Sequence, residues 1–246
     1  MLILKFSFVL VNCNYNADII PVDFVANSLI VIGWHNAIHV DHRRKVVHIT
    51  SGVENPISWG QILDFARQAA LKSPSTKLVR PIARNPISAK GKLGKINHLF
   101  IKFFSHFVYA YIFDLFLLCI GYKRIMVKVT KKMHRAFDVL EHFTNREWCF
   151  RYHNYSQIFS RLQPNEQEMF ESNVGTIDWF RYCDSLQMGS RRYLLNEDDS
   201  TIEQALRRQN LLTLIYGILD GIIYMSMLGL FLYLGKLFVN SCFGLI

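Results

Sequence analysis

The sequence predicts an α+β fold, mostly helical, in which a short α/β portion is followed by a helical domain and a C-terminal transmembrane helix. Three observations carry this. Strand-like and helix-like segments alternate twice between Ala17 and Lys72; the spacing from Val127 to Leu195 is that of amphipathic helices; and Leu211 to Gly235 is apolar apart from Asp220 and a few hydroxyl residues. A helix of that last length rises far enough to cross a hydrocarbon core of roughly 30 Å. Hydrophobic residues make up 51% of the 246 and aromatics 14%, enough for one soluble core plus membrane-embedded surface.

The α/β portion is expected over 1–72. Its first residues, MLILKFSFVLV, alternate and lack a small-x-small cleavage site, so they read as a strand at least as readily as a signal peptide. Ala17 to Val22 predicts a short strand, and Asp23 the N-cap of a helix from Phe24 towards Trp34 that ends near Ala37. Lys45 to Thr50 predicts a second strand, broken at Gly52. Ser58 to Gln61 is a capping box with Ile57 and Ile62 as a hydrophobic staple, and Ile62, Phe65, Ala66 and Ala69 then fall at helical spacing.

Residues 73–98 read as a basic, irregular linker. No acid lies between Asp64 and Asp114, while Lys72, Lys77, Arg80, Arg84, Lys90, Lys92 and Lys95 are interspersed with Pro74, Pro81, Pro86, Gly91 and Gly94. With a net charge of +9, cations beside an apolar run suit membrane lipids better than nucleic acid, because no aromatic is interleaved to stack a base. A solvated loop is the plainer alternative. The apolar run that follows, 99–122, carries Lys102, His106 and Asp114. Each ionisable group at bilayer depth costs on the order of 2.5 to 3.5 kcal/mol, so the run reads as an interfacial or partly buried helix in preference to a span.

Residues 123–200 predict a helical domain with Phe137, Leu140, Phe143 and Trp148 in its core, then Ile158, Leu162 and Phe170. A short helix capped by Thr176 would carry Ile177, Phe180 and Tyr182 and close at Gly189. A second capping box, Ser200 to Glu203, opens 201–246, a helix continuing into the anchor. Arg207 and Arg208 precede the apolar run and only Lys236 follows it, so the positive-inside bias favours a body facing the cytosol. Gly217 and Gly221 form a GxxxG through which a homodimer could close, although glycine is common in membrane helices anyway.

No catalytic, cofactor-binding or metal-binding residue is assigned. His35, His39 and His42 have i, i+4, i+7 spacing, but no HExxH stands among them and a solvated helix end is the better reading. His134, Asp138 and His142 share a helical face and read as surface hydrogen-bond partners. The five cysteines, Cys13, Cys119, Cys149, Cys183 and Cys242, lie far apart and read as reduced structural residues. Gly91 and Gly94 sit in the linker, not at a strand-to-helix turn where a backbone could approach a pyrophosphate. No tyrosine is followed four residues later by lysine, and there is no GxSxG.

The segment ADIIPVDFVAN from Ala17 to Asn27 resembles the end of the dinucleotide-binding domain of alcohol-forming fatty acyl-CoA reductases, especially those of insects. FTNREWCF from Phe143 to Phe150 with Asn154, Ile177-Asp178-Trp179 with Tyr182, and GSRRYLLNE from Gly189 to Glu197 resemble the helical C-terminal domain of the same family. Asn173 and Asn196 depart from it, standing where an acid and a base are expected. The resemblance implies that 1–72 is the remnant of an extended short-chain dehydrogenase domain. It further implies an NADPH-dependent, two-step hydride reduction of a fatty acyl-CoA through an aldehyde to a fatty alcohol, at the endoplasmic reticulum or peroxisome. The glycine loop and the Tyr/Lys pair of that chemistry are absent from this sequence, so no NADPH is expected to bind this chain alone. The chain is then expected to be an inactive fragment of a working enzyme; a non-catalytic, membrane-anchored acyl-binding or interaction module is the alternative, and an unrelated lipid-binding scaffold a third.

Overall fold

The computed structural model describes residues 12–39, 46–82 and 107–243. The N-terminal strand expected before Asn12, His42, the cations from Arg84 to Lys95, the Gly91/Gly94 pair, Lys102 and His106 lie outside these residues. Eight α-helices form among those described: α1 (Val22–Ile38), α2 (Trp59–Lys72), α3 (Tyr109–Cys119), α4 (Met126–Thr144), α5 (His153–Phe159), α6 (Pro164–Met169), α7 (Trp179–Gly189) and α8 (Ile202–Phe243). The mostly helical character and the long apolar C-terminal helix follow the expectation, and the two strands expected at Ala17 to Val22 and up to Thr50 do not.

Among the described residues there is no strand. What stands in place of a sheet is one isolated antiparallel bridge, Asn16 to Ser58, extended by the Ala17 N–H on the Ile57 carbonyl at 2.8 Å. Alternation alone cannot make a strand, since each edge needs a neighbour for its N–H and C=O groups. Residues 46–50 and the chain before α1 are joined by side chains instead: Asp18 accepts from the Thr50 hydroxyl at 2.5 Å and from the Ser51 N–H at 2.9 Å.

The first helix starts one residue before Asp23, with Pro21 at the N-cap position, so Asp23 sits in its first turn and not at its cap. A carboxylate there still opposes the positive end of the helix dipole. At α2 the capping box forms as expected: the Gln61 N–H donates to the Ser58 hydroxyl at 3.2 Å and the Ser58 N–H donates to the Gln61 side chain at 2.9 Å. Ile62 packs against the cluster of Ala17, Ile57 and Trp179, which joins the first part of the chain to α7. A second cluster sets Val31 of α1 on Ile158 and Leu162, and a third builds Tyr152, Tyr155 and Val174 against Ile20, Phe24 and Ile32.

Four expectations for the helical domain are corrected. Phe143 is 56% exposed, and Leu140 and Trp148 are also exposed, so the end of α4 and the turn after it lie outside the core, whereas Met133 in its middle packs on Leu63; the Phe137 side chain lies outside the described set. Thr176 ends a 3-10 turn, Val174–Thr176, and the cap of α7 is Asp178, whose carboxylate accepts the Arg181 N–H. Gly189 does not stop its helix, because its φ of −60° continues into a π turn, Ser190–Leu194. The left-handed residue that ends this run is Asn196, with φ 52°, a conformation asparagine tolerates better than most side chains. Finally, Asp198 caps the turn Asp199–Thr201 through the Ser200 N–H at 2.9 Å, and α8 begins at Ile202 without using Ser200.

Helix α8 does run without a break from the body into the apolar segment, over 42 residues. At 1.5 Å per residue it is about 63 Å long. It is the one helix among the described residues long and apolar enough to cross a membrane, and none of its most apolar 18-residue stretch is buried against the protein.

Candidate functional site

The GSRRYLLNE segment builds a buried ionic staple. Arg191 is wholly buried and its guanidinium lies 3.2 Å from the Glu197 carboxylate. The same carboxylate accepts from the hydroxyls of Ser75 and Thr76 at 2.7 and 2.8 Å. Arg191 also donates to the Pro74 carbonyl and to the Thr201 hydroxyl, and Gln187 donates to the Ser73 carbonyl at 2.8 Å. Burial alone would raise the Glu197 carboxyl, but the donors from Ser75, Thr76 and Arg191 outweigh it and hold it below its usual value. The staple therefore fixes the chain after α2 against the end of α7, and this is structural work.

The residues after it serve the same end. Leu78 and Ile82 are buried, and the Arg208 side chain and Gln209 of α8 bond the Leu78 carbonyl and the Ile82 N–H. Arg80 lies 5.3 Å from the ring centroids of both Tyr109 and Tyr216. The Tyr109 hydroxyl donates to Asp220, the one acid of the apolar run, so α3 is tied to α8 about two turns into its apolar part. Lys72 pairs with Asp184, and Lys77 donates to the Leu195 carbonyl. Three cations expected to face lipid from the linker, Lys72, Lys77 and Arg80, thus have protein partners.

The feature with the character of a binding site lies between α3 and α4. Asp114 is buried on α3, and its carboxylate accepts the N–H groups of Ile125, Met126 and Val127 at 3.0, 2.8 and 3.0 Å. Burial opposes its charge, while those three donors and the nearby Arg124 win and hold the carboxyl below its usual value. It thereby caps α4 from another helix, which locks the α3–α4 hairpin. Between the two helices opens a cavity of about 910 Å³, with Tyr111, Leu115 and Leu118 on the α3 side and Arg124, Lys128, Lys131, Lys132 and Arg135 on the other. In the sequence Asp114 reads only as a cost to membrane insertion. The signal available was its position twelve residues before the start of an amphipathic helix that has no acid in its own first turn.

Among the described residues, the others singled out from sequence are not gathered into a site. His35 is buried, not solvated: Arg161 approaches its Nε2 at 3.1 Å and Asn36 its Nδ1 at 3.4 Å. A guanidinium can only donate, so Nε2 accepts and Nδ1 carries the proton towards Asn36. His39 sits edge-on to His35 at 4.9 Å, beyond the end of α1. His134 is likewise buried, stacked on Phe107 at 5.5 Å, while His142 lies against Phe143 and Trp148. Cys183 is buried and its thiol is pushed up to about 11, chiefly by burial and then by Asp184; Cys119 and Cys149 are exposed. At Gly217 and Gly221 an added Cβ would meet nothing within 4 Å, so that face of α8 is open.

Comparison with known proteins places these features in a family context. The family model described as male sterility protein matches residues 105–197, from the approach to α3 through the staple. Fatty acyl-CoA reductase 2 of Homo sapiens is 32% identical over 192 residues, which is 78% of this chain and 36% of the relative. Its Bos taurus counterpart is 32% identical over 189 residues, 77% of this chain and 36% of the relative. Fatty acyl-CoA reductase 1 of Xenopus laevis is 28% identical over 204 residues, 80% and 37% of the two chains. The chain therefore spans about a third of the length of the curated relatives it matches, and the resemblance to the C-terminal portion of fatty acyl-CoA reductases holds across most of it.

Proposed function

We propose that this chain acts as the C-terminal, membrane-anchored part of an alcohol-forming fatty acyl-CoA reductase. The observation that carries the reading is the likeness to fatty acyl-CoA reductase 2 over 192 residues, beside the family match over 105–197, which takes in the α3–α4 hairpin and Arg191 to Glu197. On this reading residues 1–72 correspond to the last portion of a short-chain dehydrogenase domain, and α8 holds the enzyme at the bilayer where acyl-CoA is delivered. NADPH supplies hydride in this family, first to the thioester and then to the aldehyde.

The start of α2 does not fit that cofactor. A pyrophosphate needs free N–H groups at a helix N-terminus beside glycines. At α2, which has Gly60 in its first turn, the N–H groups of Trp59, Gly60 and Gln61 are taken by Tyr15, Cys13 and Ser58, and a Cβ on Gly60 would already meet the Cys13 carbonyl at 2.9 Å. No step through NADPH is therefore placed on these residues. On this reading cofactor binding and proton transfer fall to the part of the relatives that this chain does not match, and this chain contributes anchoring and the helical body. A body facing the cytosol rests on Arg207 and Arg208 before the apolar run, and the endoplasmic reticulum or peroxisome on the family resemblance. Contact with membrane lipids, and a homodimer through Gly217 and Gly221, belong to the same reading.

The test is a fusion. The chain would replace the matching region of human fatty acyl-CoA reductase 2, and membranes carrying the fusion would be assayed for alcohol formation from palmitoyl-CoA and NADPH. Alcohol formation is expected from the fusion and none from this chain alone. A membrane-inserted, protease-resistant fusion that forms no alcohol would overturn the assignment.

A further inference from the structure

We propose that the α3–α4 hairpin is a second membrane contact, in which α3 dips into the bilayer beside α8 while the cations of α4 hold the phosphates of anionic phospholipids. The inference rests on α8 being in the membrane and is independent of the reductase reading. Helix α3 has two unlike faces. Tyr109, Ala110 and Asp114 are buried against the protein, whereas Ile112, Leu115 and Phe116 are 50%, 62% and 59% exposed, and Cys119 is exposed on the same i, i+3, i+4, i+7 stripe. Eleven residues rise about 16 Å, too short to span but suited to an interfacial position. A solvated apolar stripe of this kind marks an interaction surface.

Three observations say what covers it. The Tyr109 hydroxyl bonds Asp220 inside the apolar part of α8, so the start of α3 is held at the membrane helix. Leu115 and Leu118 share the cavity with Lys128, Lys131, Lys132 and Arg135, which are exposed and in no ion pair among the described residues. The Asp114 cap keeps the two helices in register, so the apolar and cationic walls face one compartment. An apolar edge next to a row of cations, continuous with a membrane helix, is complementary to the boundary between acyl chains and anionic headgroups.

The experiment uses the full chain in vesicles and reads the reaction of each exposed cysteine with an uncharged, water-soluble maleimide by peptide mass spectrometry. Cys149, outside the hairpin, is the internal control. In vesicles of phosphatidylcholine with phosphatidylserine, Cys119 is expected to react at least about tenfold more slowly than in phosphatidylcholine alone, since each cation at the surface contributes about a fivefold factor. Cys149 should react equally in both. The variant K128Q/K131Q/K132Q should restore Cys119 reactivity and leave Cys149 and carbonate resistance unchanged, which separates lost lipid contact from unfolding or a failed anchor. Equal Cys119 rates in the two vesicle types would overturn the proposal. So would protection of Cys119 in neutral vesicles by added palmitoyl-CoA without any response to phosphatidylserine, which would make acyl-CoA the occupant.

Discussion

Glu197 shows how much one side chain can carry here. Its carboxylate closes a buried ion pair with Arg191 and receives two hydroxyls, and removing one partner of such a pair leaves an uncompensated buried charge. Glu197→Gln is therefore expected to destabilise the body by about 3 to 5 kcal/mol, measured by denaturant unfolding in detergent. The pH dependence follows from the depressed carboxyl: the folded state binds its proton less readily than the unfolded state, so the contribution is complete above about pH 4.3 and lost as pH falls through the lower folded value. The variant should show a flatter acid limb than the native chain. Cys183 gives a second residue-scale test. Its buried thiol, raised to about 11, should stay unmodified by a neutral maleimide at pH 7.5 under native conditions while Cys149 reacts. None of this was legible in the sequence as chemistry. The GSRRYLLNE motif marked a resemblance, but only the return of 73–76 onto it shows that its glutamate and its first arginine face each other. Asn196 reads as a departure in sequence and as a suitable left-handed residue in structure.

At the scale of elements, what depends on neighbours in sequence was readable and what depends on distant partners was not. The capping box at Ser58 needs residues three apart, and it forms. Ser58→Ala should cost about 1 kcal/mol, read as a lower thermal midpoint. The two strands expected at Ala17 and Lys45 needed each other or a third edge, and no ladder forms among the described residues. The tryptophans divide in the same way. Trp179 is buried at 7% exposure, and its Nε1 donates to Asn55, so Trp179→Ala should cost about 3 to 5 kcal/mol. Trp148, stacked on Phe150 with 39% exposed, should cost well under that; equal losses for the two would show that the α4 end is buried by something further. Periodicity identified α4 as amphipathic, yet it could not say whether the apolar face meets protein or lipid.

For the whole molecule the deciding element is α8, because a single helix carries both contacts of the body and the one stretch among the described residues long and apolar enough to cross a membrane. Its first part is held by Leu78 and Ile82 through Arg208 and Gln209, and Asp220 ties it to Tyr109 of α3. Ending the chain after Asp220 would therefore keep every one of these bonds while removing the rest of the apolar run. The ten residues left from Leu211 would rise about 15 Å, half of a hydrocarbon core. The shortened chain is expected to keep its protease-resistant body and to be extracted from membranes by alkaline carbonate, whereas the full chain stays in the pellet. Residual binding of the shortened chain to acidic vesicles, weakening as salt rises, is the expected share of the α3–α4 hairpin, since screening acts on cations at a surface and not on a helix through the core. If the shortened chain resists carbonate as the full chain does, α8 is not the sole anchor and a span must lie earlier, in which case α3 belongs to it.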